Sequence, residues 1–171
     1  MKKATKITVL AAFAIAAFSA NSYAQATATA AASATIVTPI AISKTVDMNF
    51  GNVAVSASTA GTVVLAPAGT RTSTGGVTLP VTSGTVAAAS FNVTGEGVYT
   101  YSITLPSSSL TIASGSNSMT VNTFTSSPSA TGTLTAGSQT LTVGATLNVG
   151  AAQPSGTYTS ATPFSVTVNY N

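Results

Sequence analysis

The chain contains no cysteine, no histidine and no tryptophan, and only five basic and two acidic residues among its 171. Without cysteine it can form no disulfide and carry no acylated lipoprotein anchor. Without cysteine and histidine it lacks the thiolate and imidazole ligands from which most transition-metal sites are built. Two carboxylates are too few for a calcium site, which takes six to eight oxygen ligands. No cofactor is expected. With no tryptophan, the aromatic platforms typical of a glycosidase cleft are missing as well.

The few charges are unevenly placed. Lys2, Lys3 and Lys6 stand at the N-terminus, followed by an apolar run from Ile7 to Phe18 and by Ser22-Tyr23-Ala24, with small residues at the −3 and −1 positions before Gln25. This three-part layout predicts a cleavable secretory signal over residues 1–24. The run of 12 residues is short for a spanning helix, which needs about 20. Cleavage would leave Lys44 and Arg71 against Asp47 and Glu96, a net charge of zero. The apparent basicity of the chain therefore belongs to its leader. Two isolated cations cannot bind nucleic acid through phosphate neutralisation or form a polybasic membrane patch. The mature chain contains no transmembrane segment. Its expected location is the periplasm, the cell surface or the medium.

Threonine and serine fill about a third of residues 25–171, a composition that favours strands and turns. Residues 25–34 contain no large side chain and read as a flexible Ala/Thr-rich lead-in to a domain over 35–171. Ile36, Ile40 and Ile42 share one parity around Pro39, the pattern of an edge strand or bulge. Val46, Met48 and Phe50 alternate, Thr62–Ala66 is a short strand, and Ala68–Gly76 is a polar loop holding Arg71. Val77–Leu79 is another strand. Phe91 and Val93, then Tyr99, Tyr101, Ile103 and Leu105, predict a hairpin around Gly95-Glu96-Gly97. Leu110–Ile112 and Met119–Val121 flank a turn at Ser114–Ser118. Leu141, Val143, Ala145, Leu147 and Val149 make a five-member apolar face, and Phe164, Val166, Val168 and Tyr170 alternate to the C-terminal end. Alternation with period two means strands with one face in a core. No segment of the mature chain has helical periodicity. The expected fold is an all-β, immunoglobulin-like antiparallel β-sandwich of about 8–10 short strands. The competing architecture, a transmembrane barrel, requires longer strands and aromatic girdles.

Candidate chemistry is sparse. A serine nucleophile needs a base within hydrogen-bond reach, and only Lys44, Asp47 or Glu96 could serve. Asp47 and Glu96 could pair as glycosidase carboxylates, but solvated positions at a strand start and in a turn explain them as well. Lys44 with either acid also supplies the ingredients of a lysine–asparagine crosslink. Asn92-Val93-Thr94 matches a glycosylation sequon by chance, beside residues expected in the core. No catalytic residue is assigned.

Several blocks occur in order: Ala34–Ile40, Asp47-Met48-Asn49-Phe50-Gly51, Gly75-Gly76-Val77-Thr78-Leu79, Tyr99–Pro106, Gly156-Thr157-Tyr158 and Phe164–Tyr170. Together they resemble a bacterial exported family known as domain of unknown function 4402, over nearly the whole mature chain. The Phe50-Gly51 block and the C-terminal strand are also similar to spore coat protein U-like and fimbrial subunit domains. This resemblance implies an immunoglobulin-like sandwich and a coat- or pilus-type role, and it carries over no catalytic residue.

In pili of the chaperone–usher kind an incomplete sandwich receives an N-terminal strand from its neighbour. Phe164, Val166, Val168 and Tyr170 have the alternation a periplasmic chaperone would grip. Gln25–Thr35 offers only alanine as apolar filling, so either Ile36–Ile42 is the donor, with Ile36, Ile40 and Ile42 as its filling residues and Pro39 tolerated, or the domain is complete and does not polymerise this way. The leading expectation is an exported structural or cell-surface subunit, with itself, other surface subunits and a chaperone as partners. The alternative is a self-contained secreted binding or adhesin module, for carbohydrate among other ligands. It predicts an exposed cluster of Tyr or Asn side chains.

Overall fold

The computed structural model describes residues 25–171; the expected signal peptide lies outside them. Residues 25–35 are exposed and carry no regular secondary structure. Residues Ile36–Asn171 form one compact unit.

Every regular element among the described residues is a strand. In chain order these are β1 (Ala41–Val46), β2 (Asn49–Phe50), β3 (Ala54–Val55), β4 (Gly61–Leu65) and β5 (Arg71–Gly75). Then come β6 (Val77–Thr78), β7 (Val86–Ala87), β8 (Ala89–Thr94), β9 (Thr100–Thr104) and β10 (Leu110–Ser114). The last are β11 (Asn117–Ser127), β12 (Thr131–Thr133), β13 (Ser138–Val149) and β14 (Thr167–Tyr170). Four of the 14 are strands of two residues, paired β2 with β7 and β3 with β6; the other ten run from three residues in β12 to 12 in β13. Among the described residues no helix is long and apolar enough to cross a membrane.

The larger sheet runs β1–β8–β13–β11–β10, with β4 and β5 added along β13. β13 is its organising strand. Along one edge it pairs with β8 over Ser138–Val143 and then with β4 over Ala145–Val149. Its other edge pairs with β11. The smaller sheet, β12–β9–β14, faces the first half of this arrangement. All pairings are antiparallel, and the two sheets form an immunoglobulin-like sandwich.

The core has two clusters. Val93, Leu141 and Val143 meet Tyr101, Leu134 and Val168 across the sandwich. Val63, Val121, Ala145, Leu147 and Val149 meet Val77 in the other. The five apolar residues expected on one face of β13 are all buried, and each leucine or valine so placed contributes about 1.5–3 kcal/mol. Tyr101 is fully buried and its hydroxyl donates to Gln139 Oε1 at 2.7 Å. The same oxygen accepts the Thr133 N–H at 2.9 Å, so the buried phenol is satisfied. Burial pushes its pKa up. Gly132 makes room for the ring, because a Cβ there would stand 2.2 Å from Tyr101 Cζ.

The structure differs from the sequence expectation in several places: the strand expected around Pro39 starts only at Ala41, and Val46 is exposed rather than sharing a buried face with Met48 and Phe50. β8 and β9 do not pair as a hairpin: β8 lies in the larger sheet and β9 in the smaller. Gly95–Gly97 instead carries the chain across the sandwich, its backbone held by Gly95 N–H to Gly137 O at 3.0 Å and Gly137 N–H to Gly97 O at 2.7 Å. Alternation reveals which face is buried, but both a hairpin and a crossover satisfy it. The polar loop expected over Ala68–Gly76 contains β5, which pairs with β4. Its strand character comes from threonine and from a cross-strand Thr62–Thr74 hydroxyl bond of 2.8 Å, not from apolar alternation. The C-terminal strand starts at Thr167, after Phe164 and Val166. By contrast, the turn expected at Ser114–Ser118 joins β10 to β11 in a true hairpin.

Arg71 has a structural role. Its guanidinium donates to the carbonyls of Phe50 and Asn52, the latter at 2.7 Å, and to Ser83 O at 3.4 Å. It thus fastens β2 and the loop before β7 to β5.

Because β13 supplies both clusters, Leu141→Ala should lower the unfolding free energy by about 2–5 kcal/mol. The exposed neighbour Thr140 replaced by Ala should change it by less than about 0.5 kcal/mol. Urea denaturation of residues 25–171 measures both.

Candidate functional site

β14 pairs along one edge with β9, matching Val168 to Ile103 and Tyr170 to Tyr101. No strand among the described residues pairs along its other edge. In β14 and the segment leading into it, inward side chains alternate with exposed ones: Phe164, Val166 and Tyr170 are half-buried, and Val168 is buried. Phe164 stands edge-on to Phe91, with centroids 6.4 Å apart, and 5.0 Å from Phe124. Ile40 and Ile42 pack against the same cluster. Six of the seven residues singled out for assembly thus gather on one core. Ile36, the seventh, is 96% exposed.

The free edges differ in chemistry. β1 carries the Lys44–Asp47 ion pair (2.6 Å, both side chains exposed) and a register irregularity between Lys44 and Val46. Charge and bulges both discourage strand addition. β10 is bridged by Thr159, which exchanges two backbone hydrogen bonds with Ala113. β14 contains Thr167, Val168, Asn169 and Tyr170, with neither charge nor proline to block its edge.

A polar clasp closes one end of β14. The Tyr170 hydroxyl donates to Thr38 O at 2.8 Å and accepts the Glu96 N–H at 2.6 Å. Glu96 Oε2 accepts the Thr38 N–H at 3.0 Å. This hydrogen bond holds the exposed Glu96 carboxyl below the usual carboxylate range. Tyr99 stacks edge-on against Tyr170 at 5.6 Å. Gly95 is required beneath the hydroxyl, since a Cβ there would lie 2.2 Å from it. Sequence reading missed this clasp because its members lie 132 and 74 positions apart; the one local trace is glycine beside Glu96.

The chemical candidates do not converge. Lys44 and Asp47 pair with each other, while Glu96 is committed to Thr38. Asn92 Oδ1 accepts from Ser138 Oγ at 2.9 Å. Among the described residues no group of three or more His, Cys, Asp or Glu side chains could hold a metal ion.

The architecture defines an all-β, immunoglobulin-like sandwich whose C-terminal strand has one open edge. The chain belongs to the family described as Domain of unknown function (DUF4402), whose profile matches residues 40–170. No curated protein and no solved structure matches it.

The clasp should depend on pH with a definite sign. A depressed carboxyl pKa means that the Glu96–Thr38 bond persists through the ordinary glutamate range and is lost only at lower pH. The Thr38 amide proton shift should therefore titrate with a midpoint below that range, and Glu96→Gln should abolish the titration in an NMR pH series. Tyr170→Phe removes the bridging hydroxyl and should cost about 1–3 kcal/mol, read from urea denaturation.

Proposed function

We propose that this domain is an exported structural subunit of fimbrial or coat type, joined to its neighbours by strand addition at β14. The observation that carries this reading is the unpaired, uncharged edge of β14. Strand addition supplies affinity through backbone hydrogen bonds and specificity through alternate side chains. Residues 25–37 contain no charge, and Ile36 is the large side chain that they leave in solvent. Ile40 and Ile42 already fill the domain's own core, so of the three candidate donor residues Ile36 alone is left for a neighbour, and the alanine-rich segment before it would contribute backbone hydrogen bonds rather than side-chain filling. The similarity of Phe50-Gly51 and of the C-terminal strand to spore coat protein U-like and fimbrial domains supports the same reading, as does the signal-like N-terminus. A chaperone strand laid along β14 would protect this edge before assembly.

The test uses the full chain expressed with its leader. The expected result is that material sheared from the cell surface contains the protein in oligomers, and that deleting residues 25–37 leaves a folded monomer. A wild-type protein that is monomeric when purified and absent from the sheared surface fraction would overturn the proposal.

A further inference from the structure

Between β13 and β14, residues 150–166 form no strand, and Gln153–Thr159 of this segment face members of the second core cluster. The segment is fixed by Ala152 N–H to Ser56 O at 2.8 Å and by the Thr159–Ala113 bridge. It leaves an open cleft of about 740 Å³, within the size range of small-ligand sites. Met48, Phe50, Val55, Met119 and Val149 line it on the apolar side, and Asn49, Gln153, Thr157 and Tyr158 on the polar side. Met48, Phe50, Val55 and Met119 are only partly buried, so part of their surface is open to an occupant.

No lysine, arginine, aspartate or glutamate lines the cleft. The adjacent Arg71 guanidinium is committed to the carbonyls of Phe50, Asn52 and Ser83, so a phosphate or carboxylate entering the cleft would lose hydration without a free counter-charge, and the chemistry favours a neutral ligand. Two amides have capacity to spare. Gln153 Nε2 donates to Ser118 O at 3.2 Å and to the Tyr158 hydroxyl at 2.9 Å, which leaves Oε1 as an acceptor. Asn49 Oδ1 accepts the Gly51 N–H at 2.8 Å, which leaves Nδ2 as a donor. The Tyr158 hydroxyl donates to Pro154 O at 2.7 Å, anchoring its ring. A donor, an acceptor, an aromatic ring and an apolar floor together match a sugar whose acetamido group offers a carbonyl, an N–H and a methyl group.

We propose that this cleft binds a neutral N-acetylated saccharide. This site is separate from the β14 edge and does not depend on assembly there. Residues Met48–Phe50 come from one end of the chain and Gln153–Tyr158 from the other, so the site exists only in the folded domain.

The experiment is an NMR titration of ¹⁵N-labelled residues 25–171 with tri-N-acetylchitotriose, using maltotriose as a sugar without acetamido groups. The acetylated trimer should move the amide resonances of Phe50, Gly51, Thr157 and Tyr158 saturably, and maltotriose should not. Thr157→Trp places a bulky ring at an exposed position on the wall of the cleft. It should weaken binding by at least about tenfold with an unchanged melting temperature. No saturable shift with the acetylated trimer, equal shifts with both sugars, or full binding by Thr157→Trp would each overturn the proposal. So would displacement of the sugar from these residues by a synthetic peptide of residues 25–37, because the cleft would then be a strand-docking groove.

Discussion

The structure depends on β13 burying one face along its whole length. With no disulfide and almost no charge, there is nothing else of comparable strength to hold the sheets together. Leu141 and Val143 face the smaller sheet, while Ala145, Leu147 and Val149 face the second cluster. The strand thus connects two cores that would otherwise be separate. Its edges do parallel work, since β8 and β4 share one side and β11 takes the other. A slip of one residue would turn all five apolar side chains to solvent and bring threonines inside. Register is fixed by that penalty rather than by any cross-link.

How legible this was depended on the range of the interaction. The apolar faces of β13 and the C-terminal strand, the β10–β11 hairpin and the all-β class follow from alternation, which is local. The partners of each strand do not. Gly95–Gly97 has the same local sequence character as a hairpin turn, and the crossover is distinguished by distant partners, β13 for β8 and β14 for β9. β5 was hidden because its threonines face water and its one long side chain, Arg71, reaches sideways to carbonyls. The assembly residues were recognisable as apolar and alternating. That Ile40 and Ile42 belong to their own core, and Ile36 does not, could not be read from parity, because all three share it.

The same economy governs the polar groups. Each of the four charged side chains among the described residues has a defined partner: Lys44 and Asp47 each other, Arg71 three carbonyls, Glu96 a backbone N–H. No buried side-chain nitrogen or oxygen among the described residues lacks a hydrogen bond. Hydroxyls and amides supply the other polar groups on the surface, interspersed with exposed apolar side chains such as Val81 and Val98. The resulting surface is nearly neutral, and recognition on it must come from shape and hydrogen bonding.

The Tyr170–Thr38 contact also has a mechanical consequence. It brings Thr38, two residues into the compact unit, within 2.8 Å of the Tyr170 hydroxyl, one residue from the unit's end. Tension applied through the two ends of the unit would run between neighbouring points at one corner. The long strands would lie outside that load path, and the clasp at Thr38, Glu96 and Tyr170 would be first to bear the strain.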